Sequence, residues 1–185
     1  MVNERGGSPS FFYVEVLDML ETTLCYIFKN NEILMLYRNK KENDIHEGKW
    51  NGLGGKVEKE ETPLGCVLRE VYEESGLRLI NATLIGACYY PNFNHSEELM
   101  YVYIADKFEG QMSDCNEGDL HWRLKDEIMA LNIWESDRLF LPYVLNKQYF
   151  IGCFQYDEFN FVSGDCKQVN LTKLEQFIRE KNNKL

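Results

Sequence analysis

The sequence predicts an α+β fold, an α/β/α sandwich of helices on a mixed β-sheet, and a handful of observations carry that prediction. Runs rich in Val, Ile, Tyr and Phe recur between short polar turns, which is the pattern of strands. An amphipathic helix with recognisable caps interrupts them over residues 62–76. A hairpin followed by a further capped helix closes the chain over 149–184.

Taken in order, residues 1–18 contain Gly6-Gly7 and Ser8-Pro9 ahead of an apolar cluster and stand apart as an N-terminal extension, either a flexible lead-in or an extra strand. Residues 19–185 then make one domain, with Met19 an alternative start. Residues 22–28 and 33–38 read as a hairpin around Lys29-Asn30-Asn31, and the polar stretch 39–49 as a loop beside the site. After the central helix, 79–90 and 99–108 read as long strands and 120–124 as a short one. Residues 137–147 suggest a short helix, with Pro142 implying a kink or an irregular start. Residues 149–156 and 161–169 form the terminal hairpin, and 171–184 a last helix capped by Thr172 with Leu174, Phe177 and Ile178 inward.

Composition excludes several classes. With 44% hydrophobic and 14% aromatic residues, the 185-residue chain is globular and large enough to bury a core. A formal net charge of −10 argues against sequence-independent binding to nucleic-acid polymers, which depends on Lys and Arg neutralising phosphates. A small phosphorylated substrate remains compatible, because bound cations bridge acidic ligands to phosphate oxygens. The six cysteines include no Cys-x-x-Cys pair, and no apolar run reaches membrane-spanning length. The stretch 11–20 is broken by Glu15 and Asp18, unlike a secretory leader. These features predict a cytoplasmic protein with reduced thiols, Cys66 among them as a small buried hydrophobe.

The chemistry concentrates in residues 55–77, GKVEKEETPLGCVLREVYEESGL. Thr62 is suited to cap a helix, Pro63 to its first turn and Gly76 to its left-handed end. Leu64, Val67, Leu68 and Val71 give an apolar stripe, predicted to dock on the core. Glu70, Glu73 and Glu74 stand at i, i+3 and i+4 on a face expected to lie well over 90° away. Like charges at that spacing repel, and a hard divalent cation such as Mg²⁺ or Mn²⁺ is the counter-ion that prefers carboxylate oxygens.

This stretch resembles the signature of the Nudix hydrolase family at every fixed position: Gly55, Glu61, Arg69, Glu70, Val71, Glu73, Glu74, Gly76 and Leu77. The resemblance implies the family's α/β/α sandwich and hydrolysis of a diphosphate linked to another moiety. It also implies Glu70, Glu73 and Glu74 as metal ligands, helped by the Gly55 carbonyl, with Arg69 and Glu61 pinning the loop to the helix. The likeness extends to the MutT-like branch that hydrolyses oxidised purine nucleoside triphosphates such as 8-oxo-dGTP. It runs through Trp50-Asn51-Gly52-Leu53-Gly54-Gly55, Asn116-Glu117-Gly118, Trp134-Glu135-Ser136-Asp137, Leu141-Pro142 and 150–154, covering roughly 22–169.

By that resemblance Asn51 and Asp137 would bond the base edge, Trp134 would stack on its face, and Thr23, Ile45, Phe93 and Met100 would line the pocket. Arg38 and Lys56 are candidate phosphate contacts. Attack of water at the β-phosphorus would give a nucleoside monophosphate and pyrophosphate, with Glu70 or Glu117 as the group that positions or deprotonates the water. Ser136 departs from the animal enzymes of the branch, which carry an acidic residue there, so breadth toward oxidised adenine is not implied. Two further readings stay open: a Nudix pyrophosphohydrolase for another nucleotide, such as a dNTP, a sugar nucleotide or a dinucleoside polyphosphate, and a non-hydrolytic nucleotide-binding regulator.

Overall fold

Alternation along two neighbouring strands sets the architecture. In β1 (Leu20–Lys29) and β2 (Glu32–Arg38), Tyr26, Phe28, Ile33 and Met35 enter one buried cluster, while Cys25, Ile27 and Leu34 enter the other. A strand apolar on both faces must be covered on both. In this computed structural model, which describes residues 19–183, helices cover both. The N-terminal extension expected over 1–18 lies outside the described residues.

The further strands are β3 (Trp50–Asn51), β4 (Arg78–Leu79), β5 (Thr83–Phe93), β6 (Ser96–Ala105), β7 (Phe108–Glu109), β8 (Gly118–Leu124), β9 (Phe150–Asp157) and β10 (Asn160–Gln168). The main sheet runs β10-β9-β5-β6-β1-β2-β3, with β8 also paired to β2. It is mixed: β1 with β6 and β5 with β9 are parallel, and the other pairs antiparallel. Helix α2 (Glu135–Leu145) packs Phe140, Leu141 and Val144 on one face. Helices α1 (Pro63–Ser75) and α3 (Leu171–Asn182) pack Val67, Val71 and Leu174 on the other. The α/β/α sandwich predicted from sequence is the observed fold.

Three expectations need correction. The long strands over 79–90 and 99–108 are each cut in two, because the Asn81 side chain accepts the backbone N–H of Asp106 and Lys107 and donates to the Asp106 carboxylate. That clamp diverts β4 and β7 into a separate ribbon. The last helix is capped by Asn170, which accepts from the Lys173 N–H, and not by Thr172. The short helix expected over 137–147 spans Glu135–Leu145, with Pro142 in its interior. The stripe on α1 is also displaced: Leu64 and Leu68 are 43% and 41% exposed, and Cys66, Val67, Val71, Glu74 and Ser75 are buried instead.

Candidate active site

The site grows from a split in the sheet. β1 and β2 pair only at 27–29 with 32–34, then diverge. The segment after β3 fills the gap: the Leu53 and Gly55 carbonyls accept from the Cys25 and Thr23 N–H groups at 2.6 and 2.8 Å, and the Val57 N–H donates to the Glu21 carbonyl. This approach admits no side chain at Gly54, where a Cβ would collide with the Thr23 carbonyl. The segment then feeds α1, whose start is fixed by Thr62 Oγ1 accepting the Gly65 N–H and whose end is the left-handed Gly76 at φ 73°.

Register puts the glutamates of α1 in unlike places. Glu74 continues the Val67–Val71 row at i+7, so it turns toward the sheet and is only 6% exposed. Its carboxylate accepts the Gly54 N–H at 2.9 Å. Burial, then the neighbouring charges of Glu117 and Glu70, push it up to about 8. Glu70 lies against Gly55, where a Cβ would overlap its carboxylate. Glu73 is 57% exposed. Arg69 links the group, donating to Glu61 at 2.9 and 3.0 Å, to Glu70 at 2.7 Å, to Glu73 at 3.3 Å and to the Lys56 carbonyl at 3.2 Å. It thereby pins the loop to the helix.

Among the described residues, no three His, Cys, Asp or Glu side chains converge closely enough to form a ready metal cage. The donor set nevertheless fits a divalent cation. Burial first, and then the charges of Glu117 and Glu70, favour the protonated form of Glu74, and a hard cation would compensate the carboxylate charge there. The Gly55 carbonyl accepts the Thr23 N–H at 2.8 Å and has the Cys66 thiol, a weak donor, 3.7 Å away.

Glu117 reaches this place from the start of β8, 43 residues beyond Glu74 in the chain. It is paired with Arg38 and Lys41. Arg38 is in turn forked onto Asp44 at 2.7 Å, so its guanidinium is spent on two carboxylates and is not a free phosphate contact. Lys56 is exposed, and its charge is felt by Glu98. Thr23, expected to line the pocket, is buried in β1. Alternation points it to the α1 face, where its Oγ1 is 3.2 Å from Cys66 Sγ.

The opposite face holds the aromatic residues. Trp134, Phe93 and Met100 pack on one core cluster, with Trp134 and Phe93 edge to face at 5.8 Å. The Trp134 indole N–H donates to His46 Nδ1 at 2.9 Å, and Lys49 Nζ lies 4.8 Å from its ring centroid. Burial, then the Arg38 charge, lowers His46 to about 4, so its ring is neutral and Nδ1 can accept. Ile45 is 40% exposed beside it in sequence.

Asp137 is buried at the start of α2, and burial pushes its carboxyl up to about 7. Among the described residues, the Asn51 side-chain oxygen and the Tyr26 hydroxyl are buried with no hydrogen-bond partner. Gly52, next to Asn51, abuts the Tyr26 ring, and Tyr26 in turn feels the Asp137 charge. Ser136, the departure from the animal pattern, is buried and bonded to the Tyr156 hydroxyl at 3.0 Å. Tyr26, His46 and Tyr156 were missed by sequence reasoning. No local spacing links them to the motif, since His46 and Trp134 are 88 residues apart.

This geometry has close relatives. The NUDIX domain model matches residues 20–144. An oxidized purine nucleoside triphosphate hydrolase of Danio rerio is 35% identical over 136 residues, 72% of this chain and 85% of that protein. Its namesake in Mus musculus is 32% identical over 138 residues, 74% and 86% of the two chains. The crystal structure of a MutT protein from Bacillus halodurans superposes with a TM-score of 0.73 at 28% identity, covering 80% of this chain and 98% of that one. With the sandwich, the complete glutamate motif and these relatives together, the chain belongs to the Nudix family of hydrolases, on its MutT-like side.

Proposed function

We propose that this hydrolase acts on oxidised purine nucleoside triphosphates, with 8-oxo-dGTP the expected substrate, releasing the nucleoside monophosphate and pyrophosphate and so cleansing the nucleotide pool. One observation carries the reading. The Asn51 side-chain oxygen is buried without a hydrogen-bond partner among the described residues, and Asp137 is a buried carboxyl whose charge is felt by Tyr26 and Tyr156, members of the cluster on which Trp134 and Phe93 pack. A buried acceptor without a partner costs about 1–3 kcal/mol, a penalty that a bound base edge removes. The Asn51 amide both donates and accepts, and so does the Asp137 carboxyl when it keeps its proton. The names of the fish and mouse relatives support the same substrate class.

At the phosphate end, Glu70, Glu73 and Glu74 with the Gly55 carbonyl would hold Mg²⁺, with Mn²⁺ as a substitute. When bound, the cation neutralises phosphate charge and makes a neighbouring water more acidic. Glu70 or Glu117 takes a proton from the water that adds to the β-phosphorus, as the bond to the α-phosphate oxygen breaks. Arg69 keeps the loop and helix in register while this happens, and Trp134 holds the base against sliding.

Steady-state pyrophosphate release from 8-oxo-dGTP, dGTP and dATP tests the proposal. The expected outcome is a kcat/KM preference of about tenfold or more for 8-oxo-dGTP, roughly 1.4 kcal/mol. Equal values on all three would leave a Nudix hydrolase for another nucleotide and end the oxidised-base reading.

A further inference from the structure

We propose that a lysine-lined cleft at the far end of β1 binds the phosphate chain of a small polyphosphorylated anion, at a place separate from the catalytic site. The cleft measures about 720 Å³, within the range of small-ligand sites. Four of its lining residues are lysines, Lys29, Lys107, Lys125 and Lys147, and Asp106 is its one carboxylate. The local balance of 4 − 1 = +3 inverts that of a chain whose net charge is −10.

Three of the four ammonium groups are held, not merely present. Lys125 and Lys147 stand 5.2 and 5.1 Å from the centroid of the buried Phe28 ring, and Lys29 stands 5.2 Å from Trp122. An aromatic face orients a cation without neutralising it. Asp106 is shared between Lys147 at 3.3 Å and the Asn81 amide at 2.9 Å. Among the described residues, Lys29, Lys107 and Lys125 make no salt bridge. Positive groups converging on one concavity raise its potential and draw in an anion. An ammonium presents three donors to oxygen, so several of them spread over a cleft suit a phosphate chain better than a single carboxylate.

The place is distinct from the site described above. Thr23 and Lys29 lie on the same strand six residues apart, about 20 Å at the rise of an extended chain. The cleft takes its lysines from the end of β1, the β6–β7 link, the segment after β8 and the end of α2. It shares no residue with the glutamate helix or the aromatic pocket, so the proposal holds whichever nucleotide the catalytic site takes.

Isothermal titration of the full chain in EDTA, at physiological salt, with sodium tripolyphosphate, pyrophosphate and ATP as separate probes, tests it. EDTA leaves the α1 glutamates without a cation, so the catalytic end repels anions and the titration reads the cleft. Saturable one-to-one binding of tripolyphosphate is expected, weakened by about tenfold or more in the Lys29→Gln/Lys107→Gln/Lys125→Gln variant. Metal-dependent hydrolysis and the melting temperature of that variant should match the parent, because none of the three lysines is buried. Equal affinity for pyrophosphate and ATP would identify the phosphate chain as the whole ligand. Tighter ATP binding that is lost in the same triple-lysine variant would identify a nucleotide whose base rests on Phe108 and Ile80 at the rim, whereas tighter ATP binding that the variant keeps belongs to the catalytic pocket and overturns the nucleotide form of the proposal. Absence of saturable tripolyphosphate binding, or undiminished affinity in the variant, overturns the proposal. So does capture of a poly-glutamate peptide in place of tripolyphosphate, which would make the cleft a docking place for an acidic segment.

Discussion

Replacing Asp137 by Asn separates the charge of that residue from its shape. Burial raises the Asp137 carboxyl from the ordinary 3.8 to about 7, while the Ser136 hydrogen bond and the Lys49 charge pull the other way and lose. The folded state therefore prefers the protonated acid. Below pH 4 both states are protonated and the shift has no effect on stability. Between pH 4 and 7 the unfolded chain ionises while the folded one does not, so stability falls by about 1.36 kcal/mol per pH unit. Above 7 the loss levels off near 4 kcal/mol, about three units' worth and an upper bound. Asn has the same shape and no charge to bury, so Asp137→Asn should match the parent in melting temperature at pH 4 and exceed it progressively up to pH 7–8. Thermal melts in EDTA across pH 4–9 measure the difference. A gap that stays constant with pH, or a parent more stable at pH 8, would refute the idea that Asp137 is neutral in the fold. The same titration predicts that kcat/KM of the parent for a purine substrate declines above about pH 7, where the acid stops donating.

Other perturbations test other parts of the site. Glu74→Gln should abolish hydrolysis while leaving a folded protein, read by steady-state rates beside circular dichroism, because an amide can keep the Gly54 contact without the charge repulsion. Gly55→Ala should displace the Glu70 carboxylate and lower kcat by about tenfold or more with little loss of stability, since the colliding group is the end of a flexible side chain. Chelating divalent ions should stop turnover reversibly, with activity restored by Mg²⁺ or Mn²⁺ in a direct rate assay. His46→Phe should leave the Trp134 N–H without its acceptor, raise KM by about five- to tenfold and shift indole fluorescence, whereas His46→Gln should restore much of both.

Local signals made the fold legible, and tertiary register decided what they could not. The hairpin around Asn30, the Thr62 and Gly76 caps and the terminal hairpin each depend on residues within a few positions, and each stands where its sequence places it. The α1 stripe fails because hydrophobicity was read without the sheet. Docking uses Val67, Val71 and Glu74, so Leu64 and Leu68 face outward and one glutamate faces inward. The break in the long strands rests on one amide, Asn81, bonding 25 and 26 residues away. The lysine cleft draws on positions 29, 107, 125 and 147, which no local motif brings together.

The loop between β2 and β3 is where the two ends of the catalytic site meet. Arg38 keeps its charge, and a part-buried guanidinium is tolerable only while Asp44 and Glu117 remain ionised around it. Burial alone would raise the Asp44 carboxyl, but Arg38 and the His46 N–H outweigh that and hold it low. Asp44 thus fixes the His46 backbone at 3.0 Å, and the neutral His46 ring fixes Trp134 at 2.9 Å. Anything that withdraws Glu117 from Arg38 changes the charge balance on which this chain of contacts rests. Contiguity of that kind becomes coupling only if the Trp134 plate has two arrangements that Glu117 can bias. The Phe and Gln variants of His46 are the place to look, because they alter the link to the base and leave the carboxylates where they are.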